Sequence, residues 1–209
     1  MDKNEKIIMA IDKDHLFKKD YFQGFKSASD IDYHNRLLTH RIPMKRGTAE
    51  KNPQFKHPIA YALIISPSGK IFAYQRSQKG NESRLHNKWS WGIGGHVDEE
   101  DMRTQDPIQT SFLRELKEEV GLTEFNEMKL IGYINDDSDE VGKVHFGLLY
   151  VIQAKSEEVH FKDEEIKQGS LKHLNELEEI CAKSDVEGWS RIAFEPLKAV
   201  LNEFSAKPL

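Results

Sequence analysis

Arg114-Glu115-Leu116-Lys117-Glu118-Glu119-Val120-Gly121-Leu122 sets three carboxylates along one edge of what should be a short, well-capped helix. At about 100° per residue, Glu115, Glu118 and Glu119 stand at i, i+3 and i+4 and share an arc of roughly 100°. Phe112, Leu113, Leu116 and Val120 share a different arc of similar width, so the helix is expected to bury one stripe and present the acids beside it. Lys117 and Thr110 are left for solvent. Asp106 suits the N-cap, Pro107 the first helical position and Gln109 the acceptor position of a capping box. Gly121 supplies the left-handed residue that ends the helix, with Leu122 placed for the accompanying apolar contact. Three carboxylates this close repel one another unless cations intervene. Arg114 can offset part of that by pairing with Glu118 one turn on. The pattern reads as a divalent-metal site, against the plainer alternative of a solvated acidic helix face.

Trp89-Ser90-Trp91-Gly92-Ile93-Gly94-Gly95-His96-Val97 arrives just upstream. Its glycines allow backbone amides and carbonyls to approach a ligand closely. Together the two stretches resemble the Nudix box, the family pattern G-x5-E-x7-R-E-U-x-E-E-x-G-U with U aliphatic. Residues 114–122 match at every position. The first half departs from the pattern: Asp101 stands at the acidic position after Gly95, and residues 102–113 make twelve before Arg114 where the family has seven. A five-residue insertion near 102–106 accounts for the excess. Glu99, Glu100 and Asp101 all remain candidates for the first acidic role.

The resemblance implies an α/β/α sandwich with a mixed central sheet, and water attacking phosphorus in a diphosphate joined to another moiety. It implies Mg2+ or Mn2+ held by Glu115, Glu118 and Glu119, with help from the carbonyl of Gly94 or Gly95. By position, Glu118 and Glu119 match the principal metal ligands, Glu115 a ligand or general base, and Arg114 a residue that orients the glutamates. The base is left open among these glutamates and acids outside the box such as Glu164 and Glu165. Within the family the stretch from Glu82 to Asp98 is similar to a bacterial branch labelled predicted phosphoesterase.

The rest of the chain bounds this reading. A chain of 209 residues with 38% hydrophobic and 31% charged residues can bury a sizeable single core. The net charge of −5 argues against a general nucleic-acid binder but admits a phosphate substrate reached through a metal. No apolar run is long enough for a signal peptide core or a bilayer span, and the single Cys181 cannot form an internal disulfide, so a cytoplasmic, membrane-free protein is expected. The resemblance also admits a homodimer.

Residues 1–55 read as an N-terminal extension packed on a Nudix domain of 56–209. Within the extension, 6–11 is expected as a strand, 12–24 as a turn and short helix, and 27–52 as mixed polar sequence. The core begins with alternating 59–66, a Pro67-Ser68-Gly69 turn and 70–76, a hairpin. Strands are expected at 128–134 and 144–154, joined by a solvated acidic hairpin tip at 136–140, and helices at 170–183 and 191–204, the latter burying Ile192, Leu197, Val200, Leu201 and Phe204. Strands alternating with helices in this order suggest a mixed sheet between helical layers.

Weaker candidates surround the box. Arg76 and Arg84 could clamp phosphate, and Trp89 or Trp91 could stack on a base, although core packing is the ordinary role for a strand tryptophan. His96 could ligate metal or serve as a hydrogen-bonded loop residue. Two other functions compete with hydrolysis: a non-catalytic regulatory domain that binds a phosphometabolite, and an isomerase like the isopentenyl-diphosphate enzymes. The isomerase would need a cysteine near the Gly-Gly-His segment, and none is there. The regulatory reading would need a partner domain, which residues 1–55 do not clearly supply.

Overall fold

The computed structural model describes residues 2–78, 85–159, 161 and 166–205 and shows a mixed α/β fold built round a central sheet. In chain order the elements are β1 (Ile7–Asp12), α1 (Lys13–Phe17), β2 (Gly24–Ser27), α2 (Tyr33–His40), β3 (Ile42–Lys45), α3 (Arg46–Ala49), β4 (Phe55–Ile65), β5 (Ile71–Arg76), β6 (Trp89–Ser90) and β7 (Gly92–Ile93). They continue with α4 (Pro107–Val120), β8 (Phe125–Asn135), β9 (His145–Ala154), β10 (Ile166–Lys172), α5 (Leu174–Lys183) and α6 (Gly188–Ser205). Sheet neighbours run β10-β5-β4-β9-β8-β2, with β1 joined to β3 and β4, β6 to β5, and β7 to β4. The chain forms two compact units, each discontinuous in sequence. The first comprises Met1–Tyr61, Gly94–Arg114 and Leu130–Leu149; the second comprises Ala62–Ile93, Glu115–Lys129 and Tyr150–Leu209.

In the first unit the N-terminal residues are woven into the segment that leads to the box helix. Strand β1 pairs antiparallel with β3 from Ile7↔Lys45 to Ala10↔Ile42, and its end pairs with β4 at Ile11↔Lys56. Met9 N–H donates to Val97 O at 2.8 Å, and Ile8 bridges Asp98. Strand β2 pairs with β8 from Gly24↔Asn135 to Ser27↔Gly132. Phe17, Phe22, Tyr33, Tyr133 and Phe146 meet in an aromatic cluster, with Tyr33 5.1 Å from Tyr133 and 5.4 Å from Phe146. Each such ring contributes roughly 1.5–3 kcal/mol by leaving water.

Residues 27–52, expected only as mixed polar sequence, hold α2, β3 and α3. Asp32 caps α2 by accepting from Asn35 N at 2.9 Å, and Tyr33 and Leu37, four apart, bury its inner face. An eight-residue helix with two apolar anchors carries little periodic signal; it is stable because Tyr33 finds the aromatic cluster.

The acidic run 136–140 is a correction in part, for Asp136 and Asp137 are anchored while Ser138, Asp139 and Glu140 face solvent. Lys56 is fully buried, and its ammonium donates to Asp137 Oδ1 at 2.5 Å and Gly142 O at 2.7 Å. Asp137 also accepts from Tyr21 at 3.1 Å and pairs with Lys13 at 3.4 Å, while Asp136 accepts from Gln23 at 2.9 Å. Burial pulls Lys56 down to about 8, with Asp137 opposing. Removing one partner of such a pair leaves the other uncompensated, whereas an apolar replacement of similar volume can be close to neutral. Asp137→Ala is therefore expected to cost about 3 kcal/mol, and Lys56→Met less than half of that. Urea denaturation of the two variants checks the order.

The second unit contains the expected hairpin, with Ile65 opposite Ile71, Ser66 N–H donating to Lys70 O at 2.8 Å and Gly69 at φ +78° in its turn. Residues 170–172, expected within a helix, are the end of β10, which pairs with β5 from Ile166↔Arg76 to Lys172↔Ile71. Gly169 lies so close to Phe72 that an added Cβ would sit 2.9 Å from its ring, a contact visible only with the strands side by side. The helix begins at Leu174, where Glu176 accepts from His173 N at 2.7 Å. The last expected helix is longer than its periodicity suggests, starting at Gly188, and buries Leu197 and Val200.

Candidate functional site

Helix α4 forms as its local sequence dictates. Asp106 accepts from Gln109 N at 3.0 Å, Pro107 opens the helix, Gly121 takes φ +66° and Leu122 N–H closes back onto Leu116 O at 3.1 Å. Ile108, Phe112, Leu116 and Val120 are buried, one every fourth residue. Leu113, expected on that stripe, is 43% exposed. It stands about 100° round from Phe112 and only about 40° from Lys117 on the solvent side, so the stripe is narrower than the sequence suggested. Along the other edge of the helix, Glu118 is exposed and Glu115 and Glu119 are half-buried.

Arg114 pairs with one of the three upstream acids that the sequence offered. Its guanidinium reaches both carboxylate oxygens of Asp101, at 2.9 and 3.3 Å, and Asp101 is 4% exposed while Glu99 and Glu100 face solvent. The same Nη2 donates to His96 O at 3.0 Å, and Ser111 Oγ donates to that carbonyl at 2.9 Å. Asp98 N–H donates to Asp101 Oδ2 at 2.9 Å, so the loop after the glycines folds round the arginine. A two-pronged arginine–carboxylate pair is among the stronger side-chain interactions. Asp101→Asn is expected to cost about 2 kcal/mol in urea unfolding by weakening it; an unchanged midpoint would show that the pair contributes nothing.

Gly94 sits where no side chain fits, since an added Cβ would lie 2.0 Å from Ala60 O. This close approach of the loop to β4 accounts for one glycine of the pair without any ligand. Arg76 is held in an ion pair with Glu187, itself 5% exposed, and against burial, which would lower it, Tyr74, Glu187 and Glu119 raise its guanidinium. Trp91 is 1% exposed and packs 5.9 Å from Phe194, which leaves no face for a base. Trp89 carries the Lys172 ammonium 5.8 Å over its ring and exchanges backbone hydrogen bonds with Asp185 and Glu187. Arg84, Glu164 and Glu165 lie outside the described residues. Cys181 is on α5, where burial raises its thiol.

One group of chemically capable residues escaped the sequence reading. His57 on β4, His96 after the glycine pair and His145 at the start of β9 converge in the first unit, each offering a ring nitrogen within 4.8 Å of the others. Ring centroids are 5.1–5.7 Å apart. Burial pushes His57 down to about 3 and holds His96 and His145 below the usual histidine range, His96 further so through the neighbouring His145. Only His96 carried any prior signal, by its place beside the glycines.

Comparison with known proteins agrees with the box. A family model described as NUDIX domain matches residues 55–192. Protein YmaB of Bacillus subtilis (strain 168) is 34% identical over 207 residues, covering 95% of this chain and 100% of YmaB. Among solved structures, Tm1382, assigned to the Nudix hydrolases, matches with a TM-score of 0.78 and 29% identity over 95% of this chain and 100% of its own. The NUDIX domain of Shewanella oneidensis NrtR, solved with ADP ribose, matches with a TM-score of 0.55 and 13% identity over 70% of this chain and 88% of its own, a likeness of fold alone. A match over more than half of the chain, a full-length relative above 30% identity and the arginine–acid clamp at the box helix agree: the chain belongs to the Nudix hydrolase family.

Proposed function

We propose that this hydrolase cleaves a diphosphate linkage in a nucleoside diphosphate joined to another moiety, or in a related phosphorylated compound, with Mg2+ or Mn2+ held by Glu115, Glu118 and Glu119. The observation that carries the reading is the edge of α4, where three carboxylates follow an arginine already engaged by Asp101. Because Arg114 is engaged with Asp101, its charge is shared with an acid outside the trio. The donor set suits the ion: carboxylate oxygens are the ligands hard divalent cations prefer.

A bound divalent ion supplies Lewis-acid neutralisation of phosphate oxygens and a more acidic water. The residues of the chain do the positioning. Asp106 and Gly121 fix the length of α4, so the three acids keep their spacing. Arg114 and Ser111 hold His96 O and with it the approach to the helix. In the reaction the attacking water oxygen forms a bond to phosphorus, the bridging oxygen leaves with its electron pair, and a carboxylate takes the water's proton. Residues 56–209 are read as the catalytic domain, with 1–55 as its extension. Among the described residues no helix is long and apolar enough to cross a membrane.

The test is a panel of nucleotide sugars, dinucleotides, ADP-ribose, nucleoside triphosphates and inositol polyphosphates, incubated with and without Mg2+ or Mn2+ while released phosphate or nucleotide is measured. Metal-dependent turnover of at least one compound is expected. Tight binding of a compound with no turnover of any would favour the regulatory reading and overturn this one.

A further inference from the structure

We propose that His57, His96 and His145 form a second metal site, selective for a borderline divalent cation such as Zn2+ and different in chemistry from the acidic edge of α4. His145 Nδ1 lies 2.6 Å from Val141 O, so this nitrogen is the donor and its lone pair is at Nε2. A ligating histidine typically fixes its tautomer by donating its other ring N–H to a carbonyl in this way. His145 Nε2 faces His96 Nε2 at 3.1 Å. Two nitrogens on one tetrahedral zinc, each about 2.05 Å from it, stand about 3.3 Å apart. The observed spacing is therefore close to that of two ligands sharing an ion.

His57 supplies the third donor. It is fully buried, and among the described residues neither ring nitrogen has a hydrogen-bond partner; the Ala49 carbonyl is nearby but not in hydrogen-bonding geometry. A buried ring with both nitrogens unsatisfied costs free energy that a metal bond would offset. Imidazole nitrogens suit Zn2+, Ni2+, Co2+ or Cu2+ far better than Mg2+, so the two proposed sites would not compete for one ion. Binding needs no net loss of protons, because His96 can shift its proton from Nε2 to Nδ1.

The surroundings admit a cation. The Glu50 carboxylate, 3.8 Å from His96 Nε2, adds negative charge beside the rings, and the same oxygen pairs with Arg46 at 3.2 Å and so moderates that guanidinium. Lys56, a second nearby cation, is matched by Asp137, and Lys3 adds a weaker positive influence on His96. An ion here would tie β4, the loop after the glycines and β9 together. It would also act on a residue whose carbonyl Arg114 and Ser111 hold.

The experiment uses the full chain, stripped with a chelator and dialysed. ZnCl2 is titrated by calorimetry, and CoCl2 is followed by its visible absorption, which reports tetrahedral coordination. One Zn2+ per chain is expected at this site, weakened about 100-fold or more in His96→Gln and His145→Gln and retained in Glu118→Gln. Should the histidine variants not fold, nitrogen-15 spectra of wild-type imidazoles decide instead: Zn2+ should move the resonances of His57, His96 and His145. No binding, movement at other histidines alone, or loss of Zn2+ in Glu118→Gln but not in the histidine variants would overturn the proposal.

Discussion

Glu118→Gln is expected to lower metal-dependent hydrolysis by about 10³-fold or more while the protein stays folded. The loss corresponds to about 4 kcal/mol of transition-state stabilisation, a typical contribution for an ion that neutralises charge developing on phosphate. Glu118 is the cleanest of the three acids for the test, being exposed where Glu115 and Glu119 are half-buried. Glu119 also acts electrostatically on the Arg76 guanidinium, so Glu119→Gln changes the charge round the Arg76–Glu187 pair as well. The measurement is kcat on whichever compound the panel identifies, with the melting temperature as control. Full activity in Glu118→Gln at saturating metal would show that the acidic edge of α4 is only a solvated face.

The metal-free protein is expected to lose stability as pH falls below about 6.5, above the range where carboxylates titrate. His57, His96 and His145 all have folded-state values below the unfolded histidine value of 6.5, chiefly because burial disfavours the imidazolium. A group depressed in the folded state binds more protons when unfolded, so its contribution is complete above the unfolded value and fades as pH falls toward the folded one. For His57, with a folded value of about 3, the window runs from 6.5 down to 3. Between pH 6.5 and 5 it accounts for about 2 kcal/mol, and the other two histidines act in the same direction. Arg46, Lys56 and, at His96, Lys3 reinforce the effect, while the Val141 carbonyl and then Glu50 oppose it at His145 and the Ala49 carbonyl opposes it at His57. Urea midpoints in chelator at pH 7.5 and pH 5 would show the drop; equal midpoints would mean that the rings are protonated, or exposed, in the folded protein.

Helix α4 could be read from end to end because every instruction is local. Asp106, Pro107 and Gly121 act within one turn of their own positions, and the spacing of Glu115, Glu118 and Glu119 follows from the helical period. The hairpin at 66–69 was equally plain. Strand β10 was not, since a short polar run at a sheet edge takes its conformation from β5 rather than from its own propensity. Tyr33 and Leu37 likewise form a helix face only because an aromatic cluster receives them. The acidic loop 136–140 looked solvated because nothing nearby in sequence suggests that Lys56, 81 residues away, is buried against it.

From its order of residues alone this chain could specify the box helix, its caps, the row of glutamates and the family they imply, since each depends on neighbours three or four positions apart. Tertiary structure alone decided which acid meets Arg114, which tryptophan is sealed in the core and which histidines share a chamber. His96 and His145 are 49 residues apart and touch only because β4, the glycine loop and β9 are brought together by the fold. Burial then sets their protonation, and burial is a property of the packed chain, not of any stretch of it.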